Sequence, residues 1–140
     1  MSNSNYDLNP YLVYDGRCEE AIKFYESAIG AKVLMLFRFK DSPDQSMVTP
    51  ATMEKVMHAR LAVGKGVMML SDGHCTGEAK FGGFSMSLTV SNEAEADRAF
   101  NALAADGKIE MPLAKTFFSP RFGMVTDKFG LAWMVIVGQG

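Results

Sequence analysis

Reactive residues are scarce in these 140 residues. There are two cysteines, Cys18 and Cys75, two histidines, His58 and His74, and one tryptophan, Trp133. Two thiols without CxxC spacing build neither a disulfide framework nor a zinc ribbon. Cys75 beside His74 permits a Cys–His catalytic pair, but adjacency along the chain does not set the geometry such a pair needs. There is no GxGxxG, and Gly64-Lys65-Gly66 lacks the rest of a phosphate-binding Walker loop. No apolar run reaches the ~18 residues of a spanning helix. The opening MSNSNYDLNP has neither the basic nor the apolar region of a signal peptide. An excess of one charge is missing too: 14 Lys+Arg against 16 Asp+Glu give a formal net charge of −2. Nothing in that balance draws nucleic acid or an anionic membrane. The expectation is a cytoplasmic protein with neither as partner.

What is present is enough apolar residue, 48%, for a core. The length favours one domain over 1–140, made of two intimate halves. Residues 8–14 read as a strand, with Pro10 arguing against a central position for its start. Cys18, Ala21, Ile22, Tyr25, Ala28 and Ile29 form a stripe at helical spacing, with Glu19 and Glu20 in the first turn and Gly30 as the stop. Lys32 to Phe39 reads as a strand, 40–55 as a long loop, and 56–63 with 67–71 as a hairpin. Alternation puts His58, Arg60 and Ala62 on one face and Ala59, Leu61 and Val63 on the other. The order then restarts: a strand at 84–90, a helix capped by Asn92 and Glu95 and stopped by Gly107, an extended 108–115, and strands near 122–126 and 131–137. Glu20-Ala21 corresponds to Glu95-Ala96, Tyr25 to Phe100, Gly30 to Gly107, and Gly66-Val67 to Gly130-Leu131. This is an internal repeat, with modules at 6–73 and 83–138.

Several short motifs follow one another along nearly the whole chain. They are Tyr11-Leu12, Gly16, Glu20-Ala21-Ile22, Phe24-Tyr25 and Gly30-Ala31, then Gly107-Lys108 with Pro112. Phe117-Phe118, Phe122-Gly123, Asp127, Phe129-Gly130 and Trp133-Met134 complete the series. In this combination they resemble the vicinal-oxygen-chelate superfamily of glyoxalase I, extradiol dioxygenases and bleomycin resistance proteins, and within it the PhnB-like branch. The resemblance implies an α+β fold of paired βαβββ modules around a cleft, a small-molecule ligand and a homodimer. A ubiquinone-pathway methyltransferase label attached to that branch finds no support here, since no glycine-rich loop follows the first strand.

Superfamily enzymes hold a divalent metal at four strand positions. Matching the motifs gives Asn9, Leu70, Ser85 and Met134, where His or Glu is usual. Leu70 and Met134 offer no oxygen or imidazole donor to such an ion. No cofactor is therefore expected, and His58, His74, Glu54, Asp72, Glu78, Glu110 and Asp127 match no compact metal motif. The ligand-binding candidates are His58, Arg60, Phe117, Phe118, Arg121 and Trp133, with His58 the proton-transfer candidate by elimination. Trp133 and Met134 alternate, so only one of them faces a cleft. Asp127 is read as capping its own turn. The leading reading is a small-molecule-binding protein. Its rivals are a metal-dependent lyase, isomerase or dioxygenase of the same fold, and a ligand-free structural dimer.

Overall fold

The computed structural model describes residues 5–46, 48–73 and 79–138. The chain divides between residues 78 and 79 into two compact units. The first holds β1 (Tyr11–Val13), α1 (Cys18–Ile29), β2 (Lys32–Arg38), β3 (Val56–Val63) and β4 (Gly66–Ser71). The second holds β5 (Met86–Val90), α2 (Glu93–Ala104), β6 (Lys108–Ala114), β7 (Phe122–Thr126) and β8 (Ala132–Val137). Each forms a four-stranded sheet, ordered β1-β4-β3-β2 and β5-β8-β7-β6, with one parallel pair made by its first and last strands. The architecture is the expected βαβββ module, twice.

Each helix covers one face of its own sheet. In the first unit α1 buries Cys18, Ala21, Ile22 and Tyr25 on the side of Leu12, Ala59, Leu61, Met68 and Leu70. In the second, α2 buries Ala96, Ala99, Phe100 and Leu103 on the side of Val125, Trp133, Val135 and Val137. Burial of each large side chain contributes about 1.5–3 kcal/mol.

The helix ends differ from the sequence expectation in instructive ways. Arg17, before α1, supplies no side-chain cap. Asp72 does so from far along the chain: its Oδ1 accepts from the amides of Gly16 and Cys18, both at 2.8 Å, and its Oδ2 from that of Val56 at 2.8 Å. Asn92 caps α2 through the Glu95 amide at 2.9 Å, but Glu95 reaches back to the amide of Ser91 rather than Asn92. Gly30 takes the left-handed conformation that closes α1, with φ 67°. Gly107 does not repeat this. Helix α2 ends at Ala104, and the left-handed residue is Asp106, with φ 59°.

Strand β1 is shorter than the expected 8–14. Proline has no amide proton for a ladder, and Pro10 contributes only its carbonyl, to the Met69 amide. The long connection after β2 is fastened at both ends. It opens with a 3-10 turn at Phe39–Asp41. The Arg38 guanidinium donates to Glu19 and to the Glu54 carbonyl, and Lys40 pairs with Glu54 at 2.9 Å.

Candidate functional site

Cross-strand pairing assembles side chains that lie far apart in sequence. The face of the first sheet turned away from α1 carries one row across four strands: Tyr11, Met69, Arg60 and Met35. Beyond it on the same face lie Val13, paired with Ser71, and His58, paired with Phe37. His58 and Arg60 thus share the uncovered face with Ala62, as alternation requires. The Tyr11 ring stacks on the His58 ring at 5.7 Å between centroids and 21° between planes, and Tyr11 remains 51% exposed.

Arg60 is the anomaly on that face. Its side chain is half-buried between two methionines, and its Nε is closed to solvent without a hydrogen-bond partner. Three of the other four arginines are paired, Arg17 with Glu20, Arg38 with Glu19 and Arg121 with Asp97, and the fourth, Arg98, is exposed on α2. Burying a cationic donor unmatched is unfavourable, and such a group calls for an explanation.

The second sheet has the same layout with other chemistry. Its uncovered face carries the row Ser87, Met134, Met124, Met111. Matching the faces puts Met124 in the place of Arg60, Phe122 in that of His58, and Met134 in that of Met69.

This correspondence corrects one sequence assignment. Leu70, expected at the metal position of the first module, is fully buried on the α1 side, and Met69 stands where Met134 stands in the second. The cause is loop length. Val63 pairs with Gly66 around two residues, whereas Thr126 pairs with Ala132 around five. Aligning the hairpins by Gly66 and Gly130 therefore slips the register by one residue, which exchanges the faces. Asn9 and Ser85 keep their sequence placement, each two residues before Tyr11 or Ser87. Two thioethers, an amide and a hydroxyl do not fit a hard or borderline divalent ion. Among the described residues no group of three His, Cys, Asp or Glu side chains could hold one.

The remaining candidates separate. Trp133 is 3% exposed, on the α2 side, and its indole N–H donates to Asp127 Oδ2 at 2.9 Å; it is a core residue, and Met134 takes the open face. Asp127 also accepts from the amides of Phe129 and Leu131, at 2.9 and 3.1 Å, so it does cap its own turn. Arg121 is drawn away by Asp97 of α2, at 2.7 Å. Phe118 packs edge-on against Phe122 and Phe117, while Phe117 is 100% exposed. Their loop is held by buried Ser119, whose hydroxyl lies 2.9 Å from the carbonyls of Arg121 and Val137. The His74–Cys75 pair and Glu78 lie outside the described residues.

Cys18 is not a nucleophile. Burial, with Asp72 and Glu19 adding to it, holds its thiol far above the ordinary range, so it stays protonated. An open depression of about 470 Å³, bordered by Arg17, Glu19, Glu20, Lys23, Glu54 and Lys55, lies elsewhere in the first unit. Several of its charges already satisfy one another, as Arg17 does Glu20 at 2.8 Å. It presents no aromatic surface.

Tyr11, Met35 and Met69 escaped the sequence reading. Parity alone could have put each on one of two faces, but only the pairing register brings them to Arg60.

Comparison with known proteins agrees with the fold. The model of the Glyoxalase/Bleomycin resistance protein/Dioxygenase superfamily matches residues 7–135. Protein YjdN of Escherichia coli is 37% identical over 138 residues, covering 93% of this chain and 94% of that protein. The crystal structure of protein PA1353 from Pseudomonas aeruginosa superposes with a TM-score of 0.85 at 42% identity, over 97% of this chain and all (100%) of that one. A Bacillus cereus structure described as a putative 3-demethylubiquinone-9 3-methyltransferase, PhnB protein, gives 0.78 at 27% identity, over 95% and 100%.

Proposed function

This chain belongs to the glyoxalase/bleomycin resistance protein/dioxygenase superfamily, and from that premise we propose that it is a PhnB-like small-molecule-binding protein. The binding surface is the uncovered face of the first sheet, with Arg60, His58 and Tyr11 as its principal contacts. One observation carries this reading: a half-buried guanidinium between two methionines whose enclosed Nε has no hydrogen-bond partner among the described residues. A bound anion meets the charge of that group from its Nη edge. The superfamily metal has no part in this reading, because Asn9, Met69, Ser85 and Met134 are the wrong donors for it.

The test is native mass spectrometry of the gently purified protein, followed by amide-shift mapping of whatever co-purifies. Shifts centred on β1, β3 and β4 support the proposal. Shifts confined to the second unit would refute it. Elemental analysis of the same sample, made without chelator, should give well under one equivalent of Zn, Ni, Mn or Fe per chain.

A homodimer in the cytoplasm is part of the proposal. Exposed apolar side chains at the sheet edges, Val33 and Leu34 on β2 and Ile109 and Met111 on β6, favour association. The buried free thiol of Cys18 suits a reducing compartment. Sedimentation across a dilution series checks the first point, and a strict monomer at micromolar concentration contradicts it. Cell fractionation checks the second.

A further inference from the structure

The ligand class can be narrowed from the surroundings of Arg60, taking the binding face proposed above as given. Among the described residues, no strand position on that face is an aspartate or glutamate, and its other fixed cation is Lys32 on the edge strand. Nothing at those strand positions answers the charge of Arg60, which favours an anion brought from outside. Of its guanidinium nitrogens, only Nε is both enclosed and unmatched. The Nη edge remains for recognition, and its paired donors fit the two oxygens of a carboxylate.

A phosphate is a poorer match. It presents three acceptor oxygens and a higher charge. The amides of the inner strands are committed to the sheet ladder, and Asp72 already occupies the amides of Gly16 and Cys18 at the start of α1. Beyond Arg60, side-chain donors on the face reduce to Lys32 on the edge strand, one row away, the His58 ring and the Tyr11 hydroxyl, since Ser71 is committed to the Met57 carbonyl. One carboxylate is what this set can satisfy.

The rest of the row describes the rest of the ligand. Tyr11 lies two strands from Arg60, with Met69 between them. Neighbouring strands are about 4.8 Å apart, so the span is roughly 10 Å. The floor beneath it is a thioether, which is polarizable and adapts to flat unsaturated surfaces. The exposed Tyr11 ring, backed by the His58 ring, offers a planar face at the far end. We infer that this surface holds a monocarboxylate with a flat, unsaturated body one or two rings long, the carboxylate on Arg60 and the ring system on Tyr11.

The probes are 2-naphthoate, its neutral analogue 2-naphthamide, and the saturated decalin-2-carboxylate. Each is titrated to millimolar concentration into the ¹⁵N-labelled full chain while amide shifts are followed. The acid should bind wild type at least tenfold more tightly than the amide, a difference of about 1.4 kcal/mol. Arg60→Met should abolish that difference, Arg60→Lys should recover part of it, and Tyr11→Leu should weaken the planar acid more than the saturated one. Thermal unfolding of each variant establishes that it folds. If acid and amide bind equally, with shifts around β1, β3 and β4, the carboxylate inference is overturned while the binding face survives. If neither moves those resonances, both are overturned.

Discussion

The uncovered faces of the two sheets are built to one plan and filled with different chemistry. Tyr11–Met69–Arg60–Met35 in the first corresponds to Ser87–Met134–Met124–Met111 in the second. Methionine keeps two of the four places in both. The changes fall at the other two places: a cation becomes a thioether and a tyrosine becomes a serine. His58 likewise gives way to Phe122. The backbone module is thus indifferent to what its open face carries. One half keeps an uncompensated charge on its face, whereas the row in the other half keeps none.

The comparison breaks most severely where the halves agree in needing a buried carboxylate. Asp72→Ala would orphan the amides of Gly16, Cys18 and Val56. Asp127→Ala would orphan two amides and the Trp133 indole. Each should cost about 3 kcal/mol or more in denaturant unfolding, from roughly 1–3 kcal/mol per stranded group. A loss below 1 kcal/mol would mean that water replaces the carboxylate.

Exchanging the rows sharpens the contrast. Met124→Arg puts an unpaired cation on the second face and should destabilise by about 1–2 kcal/mol, read from the denaturant midpoint. Arg60→Met gives the first face a row like the second and should stabilise the ligand-free protein by up to about 1 kcal/mol. A thermal midpoint lowered by this change would show that Arg60 is structurally supported after all.

The smallest effect contrasts Arg60 with a paired arginine on the same sheet. The hydrogen bond from Arg38 to Glu19, at 2.6 Å, lowers the carboxyl below its ordinary range, outweighing the opposing effect of burial. A depressed carboxylate stabilises the fold at pH values above its unfolded range, and that contribution is lost as pH falls through the folded value. Glu19→Gln should therefore reduce stability at neutral pH, by under about 1 kcal/mol because the pair is partly exposed and screened by solvent. The variant and wild type should converge in acid, below the ordinary glutamate range. A difference that persists unchanged at low pH would assign the loss to packing.

Much of the module was legible in the residues. The stripe from Cys18 to Ile29 and the alternation of Ala59 and Leu61 against His58 and Arg60 record which face is covered, because water sorts side chains at periods of 3.6 and 2. Register left no such mark. The one-residue slip between Leu70 and Met69 arose from hairpin loops of two and five residues, and glycine in both concealed it. Arg121 and Trp133 misled for another reason. Each is answered by a carboxylate distant or oblique in sequence, Asp97 or Asp127, and residue type alone does not say whether a polar group meets its partner inside the protein or outside. For Arg60 the sequence showed the face and not the want of a hydrogen-bond partner at Nε.

Trp133, the only tryptophan, is fixed by Asp127 inside the second unit, while all four tyrosines, at positions 6, 11, 14 and 25, belong to the first. Two of these, Tyr14 and Tyr25, are fully buried with their hydroxyls 2.8 Å apart. Each half thus has its own chromophore. Emission excited on the red edge of the absorption reports on the second half alone, and the near-ultraviolet tyrosine signal on the first. Coincident transitions at the two wavelengths would establish one cooperative folding unit, and separated ones two. No label need be introduced to ask whether a duplicated sheet still melts as two copies or has become a single body.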